Sequence, residues 1–344
     1  MVQERETGRG AGGRRLPMVL GLGLAVLAAG WVALWHTGRS RILSEIERAV
    51  ADLDRRGIEL RCPAPSIGGF PFRMELTCPA PGVVDRRTGG LASADTLRLV
   101  AQVWDPFLLV AEIDGPVLAE DGRGGRLTVK TRSLRLSLRW STAGVERASL
   151  SADGPDLAFT APDRLPFALK AANFEVHGRQ SGATRRDLDL AFHSGATEIA
   201  VAGRRVGPLR ADLDGAATLR GAIDPAAADP VAAFVARAGR IEPLRFGIAV
   251  GGVSLEISGG LAFRPDGRLD GRLPAVVRGI ENYAAARNDL GPELATAIGG
   301  FVLLGRPTDD GRPGRRLDLD VDGGDLRLGR LAIGRIPPLI TTSH

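Results

Sequence analysis

Two histidines are the first residues to weigh for chemistry. His177 and His193 lie close enough to meet across a hairpin, with Asp187 and Asp189 nearby. Histidine is the side chain that most readily exchanges a proton near neutral pH. An enzyme built on these groups needs them to converge in a cleft, and no third partner is evident. The other two histidines, His36 and His344, sit beside an apolar run and at the last position. No Ser/His/Asp arrangement, HExxH helix or GxSxG elbow is present. Gly8, Gly10 and Gly13 spell GxGxxG, but in a polar tail with no strand before it, where the motif has no dinucleotide meaning. Asp318, Asp320, Asp322 and Gly323 open like a calcium loop. The twelfth position, which needs a bidentate glutamate, is Gly329, and the flanks read as strand where helices are required. A strand with Leu317, Leu319 and Val321 inward and its aspartates outward accounts for the same residues. The sequence therefore assigns no catalytic residue, no cofactor and no metal.

Cys62 and Cys78 are the only cysteines. In an oxidising compartment they close a loop worth about 3 kcal/mol in the chain-entropy model. A hairpin of Ile58–Cys62 with Phe72–Cys78 would bring them together. Zinc wants four ligands, and no histidine lies nearby. Two unpaired buried thiols are the alternative; a disulfide is the expectation.

Composition limits the partners. Hydrophobic residues make up 44% and charged residues 25%, the balance of a folded chain. Aromatics are 5%, with Tyr283 the single tyrosine, which argues against stacking platforms for bases. The net charge is +5, and Lys130 and Lys170 are the only lysines. The arginines are spread through the chain among Asp and Glu, as on solvated strand faces. Attraction to anionic head groups is the alternative. No nucleic-acid partner is expected.

The elements that must position any site begin with Leu16–Trp35, twenty residues without a charge. A helix of that length just spans a hydrocarbon core of roughly 30 Å. Trp31 and Trp35 stand at its far end, where indoles favour the interface. A buried core helix is the bland alternative. Arginines flank both ends in equal number, so orientation rests on length: a tail over 1–15 stays in the cytoplasm and the long remainder is exported. The expected location is the inner membrane, single-pass, with the C-terminal domain in the periplasm. Cleavage as a signal peptide is the competing reading. Over 39–56, Ile42, Leu43, Ile46, Ala49, Val50 and Leu53 form one apolar stripe, ending at Gly57. This predicts an amphipathic helix that continues from the anchor.

From 57 to 344 the texture is mainly β with a few helices, an α+β class. Arg126–Trp140, Arg186–Phe192, Val253–Phe263 and Arg316–Ile333 alternate apolar and polar residues. Pro265-Asp266-Gly267 and Asp322-Gly323-Gly324 read as turns between strands. Helices are expected over Ala226–Ala238, begun or kinked by Pro230, and over Gly279–Ile298, broken at Gly291-Pro292. A sub-boundary falls near 215–240.

The segment Gly68–Pro79, containing Gly69, Phe70, Pro71, Phe72 and Arg73, follows an anchor helix. In this it resembles the bacterial family labelled domain of unknown function 2125. Trp104-Asp105-Pro106, Gly115-Pro116 and the closing Leu331–Pro338 are similar to it too. The resemblance covers essentially the whole exported part and brings no catalytic residue. The strand rhythm is also similar to AsmA-like envelope proteins, which implies a large curved antiparallel sheet with an apolar inner groove. Phospholipid in such a groove, for lipid handling or membrane maintenance, is one expectation. Other envelope proteins as partners, with the apolar face covered by helices as an ordinary core, is the second. An enzyme of unrecognised type stands third. The Phe70–Arg73 corner either turns the chain into the sheet or contacts lipid beside the membrane.

Overall fold

The computed structural model describes residues 15–141, 144–162, 164–181, 187–221 and 230–338. The GxGxxG glycines, nearly all of the expected tail, Arg186, His344 and the Ala226–Asp229 start of one expected helix lie outside the described residues.

One helix, α1 (Arg15–Arg55), carries both N-terminal segments without a break. It ends where Gly57 takes φ 83, a left-handed position that glycine fills at no steric cost. Side chains through Gly21 lie outside the described set. Among the described residues no helix is long and apolar enough to cross a membrane.

After β1 (Ile58–Arg61) and β2 (Ser66–Gly68) the strands come in bent pairs. These are β3 (Arg73–Pro79) with β4 (Gly82–Asp85), β5 (Gly90–Ser93) with β6 (Thr96–Gln102), and β7 (Asp105–Asp114) with β8 (Val117–Glu120). Then follow β9 (Arg126–Lys130) with β10 (Ser133–Ser141), β11 (Gly144–Asp153) with β12 (Asp156–Ala161), and β13 (Arg164–Lys170) with β14 (Asn173–Ser181). Two residues separate the members of every pair, among them Ala80-Pro81, Gly115-Pro116, Thr131-Arg132 and Gly154-Pro155. Proline has no N–H to give to a ladder, so a strand bends where it stands. The breaks line up across the sheet as a crease. Hydrogen bonds continue through it, Ala80 N–H to Asp95 O at 2.7 Å, Arg132 N–H to Asp153 O at 2.9 Å and Ala172 N–H to Gly195 O at 2.8 Å. The longer strands β15 (Asp187–Val201) and β16 (Arg204–Arg220) cross the same line, with a bulge between Ser194 and Thr197.

The crease divides one sheet into two arms. The first runs β3, β6, β7, β10, β11, β14 and the first half of β15. The second runs β1, β4, β5, β8, β9, β12, β13 and the second half of β15. Beyond β16, the first arm continues through β17 (Arg240–Val250), β18 (Val253–Phe263), β19 (Leu269–Arg278), β21 (Arg315–Asp322), β22 (Asp325–Leu328) and β23 (Leu331–Arg335). The short β20 (Arg306–Pro307) adds to β21. The helices are α2 (Pro230–Ala236), α3 (Tyr283–Leu290) and α4 (Pro292–Leu304). Among the described residues all 23 strands belong to one open antiparallel sheet, mainly β as the alternation implies.

Two expectations are corrected. Arg126–Trp140 is two strands folded at the crease. The hairpin of Ile58–Cys62 with Phe72–Cys78 does not form, because β1 pairs with β4 and β3 pairs with β2 and β6. On either side of the expected sub-boundary near 215–240, β16 pairs with β17. The break expected at Gly291-Pro292 holds: Gly291, at φ 75, separates α3 from α4, and the described part of α2 runs Pro230–Ala236.

Register gives the sheet two unlike faces, since successive side chains point to opposite sides. One row across the strands reads Leu99, Ala111, Leu136, Leu150, Val176 and Phe192, then Phe246, Ile257, Ala275 and Leu317 beyond Gly215. A parallel row reads Cys78, Leu97, Ile113, Leu134, Ala152 and Phe174. Where this row meets the crease, Cys78, Ala152, Ser194 and Thr197 are buried, while Asp95, Asp114, Arg132 and Asp153 on the other side are exposed. The apolar face is therefore the concave one.

The convex face is ionic. Arg98 bonds Glu75 and Glu112, each at 3.2 Å, and Arg135 bonds Glu112 at 3.2 Å. Exposed pairs of this kind contribute little each, but they keep the polar face solvated. Thr218 and Ser181 hydroxyls and the Arg179 guanidinium hold the Asp189 carboxyl below its ordinary range. Arg264 and the Gly323 N–H do the same for Asp270. A carboxylate whose pKa is depressed by folding stabilises above its unfolded value near 3.9, and that contribution fades as pH falls through the folded value. The melting temperature followed by circular dichroism is thus expected to be level above about pH 5 and to drop below about pH 4. A decline that begins in the neutral range would contradict this assignment.

Candidate functional site

The concave apolar face is covered along part of its length. Over β16–β21 it is sealed by Phe234 and Val235 of α2, Ala286 and Leu290 of α3, and Ala295, Ile298 and Phe301 of α4. They pack on Val250, Val253, Phe263, Leu273, Ala275, Val277, Leu319 and Val321 in one buried cluster. The helix-covered core expected from the sequence exists there.

Over β7–β15 no described helix covers the face. A hollow of about 890 Å³ lies there, lined by Leu109, Ala111, Leu136, Leu138, Leu150, Val176, Leu188 and Leu190. It crosses five strands, about 19 Å at the usual strand spacing. That exceeds the roughly 15 Å half-thickness of a bilayer's hydrocarbon core. The residues come from alternate positions of β7, β10, β11, β14 and β15, so their convergence follows from register alone. Groove and covered core are thus two stretches of one face.

The trough opens toward a rim of turns at the end of the first arm remote from the crease. The Gly69–Phe72 turn carries the signature residues. Gly69 stands at φ 93, and a Cβ there would fall 2.7 Å from the Arg73 carbonyl oxygen. The Arg73 N–H closes the turn on Gly69 O at 3.0 Å, and Phe70-Pro71 is cis. Helix α1 is fixed to this turn: Trp31 Nε1 donates to Pro71 O at 3.1 Å and Trp35 Nε1 to Arg73 O at 3.4 Å. Trp35 is buried, with Phe70 edge-on at 5.2 Å. The next tip, between β6 and β7, holds Trp104, 66% exposed and 6.3 Å from Phe72. Phe107 and Trp140, 6.5 Å apart, stand at the trough's mouth. The signature therefore joins helix to rim.

At the opposite end of β3, a disulfide joins Cys62 to Cys78 with Cα atoms 5.4 Å apart. Cys62 follows β1 of the second arm and Cys78 belongs to β3 of the first, so the bond clips the two arms together at the crease.

The histidines and aspartates do not assemble into one site. His193 Nδ1 lies 2.8 Å from Asp214 Oδ1, and His177 Nε2 lies 3.5 Å from Glu175. Asp189 takes Arg179, Ser181 and Thr218, while Asp187 takes Arg220 and the Gly221 N–H. All lie on the polar face, each with a separate partner. Asp318, Asp320 and Asp322 are likewise spent on Arg316, Arg272 and Arg264. Among the described residues no cluster of three metal-ligating side chains occurs.

Sequence reading missed the crease and the pairing of Phe107 with Trp140. The signal for the crease was present in the repeated two-residue interruptions, three of which carry proline.

Compared with known families, residues 35–337 match the model described as an uncharacterized protein conserved in bacteria (DUF2125). No curated protein and no solved structure matches the chain.

Proposed function

The chain belongs to the bacterial family DUF2125, and from that premise we propose that it is a membrane-anchored, non-catalytic envelope protein that shelters phospholipid acyl chains in its trough. The observation that carries the reading is the uncovered stretch of the concave apolar face, continuous with the stretch that helices seal. Ligand sites are typically concave and mostly apolar, as this hollow is. The trough's apolar floor of Leu, Val and Ala suits a hydrocarbon chain, and the polar residues that also line it, among them Glu146, Arg147, Gln180 and Asp187, lie toward the strand ends remote from the crease. Its mouth adjoins α1, where Leu22, Leu24, Val26 and Leu27 are each more than 60% exposed. Such a helix, apolar on every side, suits a bilayer anchor. Its placement in the inner membrane with the sheet in the periplasm agrees with the disulfide.

The test is lipid retention. Purified in a lipid-free detergent and examined by native mass spectrometry, the full chain is expected to retain phospholipid that delipidation removes and added phospholipid restores. A chain that is empty after mild extraction and takes up none would overturn the reading.

A second reading, docking of another envelope protein, is favoured by one observation. The last described strand, β23, is exposed throughout and pairs on one side with β22 alone. A free edge of this kind can accept a partner's strand. Crosslinks from β23 to a specific protein in intact cells, with no retained lipid, would move the weight to it.

A further inference from the structure

The rim itself carries a second arrangement. On the convex face, three arginines stand directly opposite one another on adjacent strands: Arg139 on β10, Arg147 on β11 and Arg179 on β14. Like charges placed so repel one another. The outer two are neutralised, Arg139 by Asp105 at 2.6 Å and Arg179 by Asp189 at 3.1 Å. The Arg147 side chain makes no hydrogen bond or ion pair among the described residues. It faces a hollow of about 270 Å³ lined by these three arginines with Glu146 and Gln180. With the outer two arginines already paired, the Arg147 guanidinium is the one fork of donors left open there, and such a fork is suited to an oxyanion.

Its position gives that oxyanion a source. Arg147 stands three residues from the tip residue Gly144, about 10 Å along the strand. The neighbouring tips present Phe72, 59% exposed, and Trp104, 66% exposed. Aromatic side chains at the tips, with a long cationic side chain about 10 Å further along the strand and able to reach back toward them, match an interface layer with a phosphate contact beside it. The same rim is bonded to α1 through Trp31 and Trp35, so anchor and rim share one side of the molecule.

The geometry points to the Gly69–Phe72 turn and the tip between β6 and β7 as a bilayer-docking edge: Phe72 and Trp104 enter the interface, and Arg147 takes the phosphate of an anionic phospholipid. This rests on the anchor reading above. It gives the trough a mouth that opens onto the lipid it would take up, with Phe107 and Trp140 as the lip on the concave side.

The experiment uses the full chain in vesicles of phosphatidylcholine with or without phosphatidylglycerol, a brominated phosphatidylcholine serving as fluorescence quencher. Differences between wild type and Trp104→Phe isolate Trp104, and Trp31→Phe isolates Trp31 in the same way. Trp104 is expected to be quenched, more strongly with phosphatidylglycerol present, and Arg147→Glu is expected to cut that quenching at least twofold. Trp104 unquenched beside a quenched Trp31 overturns the docking edge and leaves the anchor. If neither is quenched, both fall. Quenching of Trp104 that ignores phosphatidylglycerol and Arg147→Glu overturns the role of Arg147.

Discussion

Leu150→Glu is expected to lower phospholipid retention by the full chain at least tenfold while leaving the fold intact. Leu150 lies at the centre of the trough, with Leu136 opposite it on one side and Val176 on the other. In the empty trough a glutamate there remains in water, so folding loses little. With an acyl chain in place the carboxylate is cut off from solvent between Leu136 and Val176, at an effective penalty of several kcal/mol. Each 1.4 kcal/mol of that penalty is a tenfold loss of affinity. The neighbouring substitution Ser151→Glu provides the control. Ser151 stands between Arg135 and Glu175 on the convex face, and its variant should retain lipid as the wild type does. Equal retention by both variants would show that bound lipid lies elsewhere than in the trough.

Loss of the disulfide is expected to have the largest effect on stability. The bond spans 16 residues, for which the chain-entropy model gives about 3 kcal/mol. Cys62→Ser should therefore lower the melting temperature by about 5 °C or more. The same shift should appear when the wild type is melted under reducing conditions. The site gives the effect a second consequence. Because β1 and β3 belong to different arms, loosening should concentrate at the N-terminal edge of the sheet. Hydrogen exchange is expected to rise in β1–β4 and to stay level in β17–β21, whose core is closed by α2–α4. A shift below 1 °C would mean that the arms are held by the crease alone.

The sequence revealed elements better than it revealed their arrangement. Alternation identified Val253–Phe263 with the bounds of β18, and Gly291-Pro292 marked a real helix boundary. These are local signals, set by side-chain period and by residues with restricted or permissive backbones. The pairing of β1 with β4 rather than β3 was not legible, because nothing local to Pro79–Pro81 tells a turn between strands from a bend within a longer path. Cys62 and Cys78 were paired correctly for a wrong geometric reason: the sulfur atoms meet across the crease, not across a hairpin. The site was half legible. The signature Gly69, Phe70, Pro71, Phe72 and Arg73 stood out, and its partners Trp31 and Trp35 were known only as interface residues. The trough itself could not be read. Leu109, Leu136, Leu150, Val176 and Leu190 come from five strands, and only register brings them to one hollow. Whether an apolar face is open or covered depends on where α3 and α4 pack, which no strand pattern records.

The most direct measurement maps where lipid touches the chain. With the full-length protein in a native-like membrane containing phospholipid photoactivatable along its acyl chain, the labelled peptides are identified after irradiation. If the trough holds acyl chains, label falls on Asp105–Asp114, Ser133–Ser141, Gly144–Asp153 and Asn173–Ser181, as well as on α1, and Leu150→Glu removes it from the strands alone. Label confined to α1, with the four strands unmarked, would contradict a lipid-holding trough.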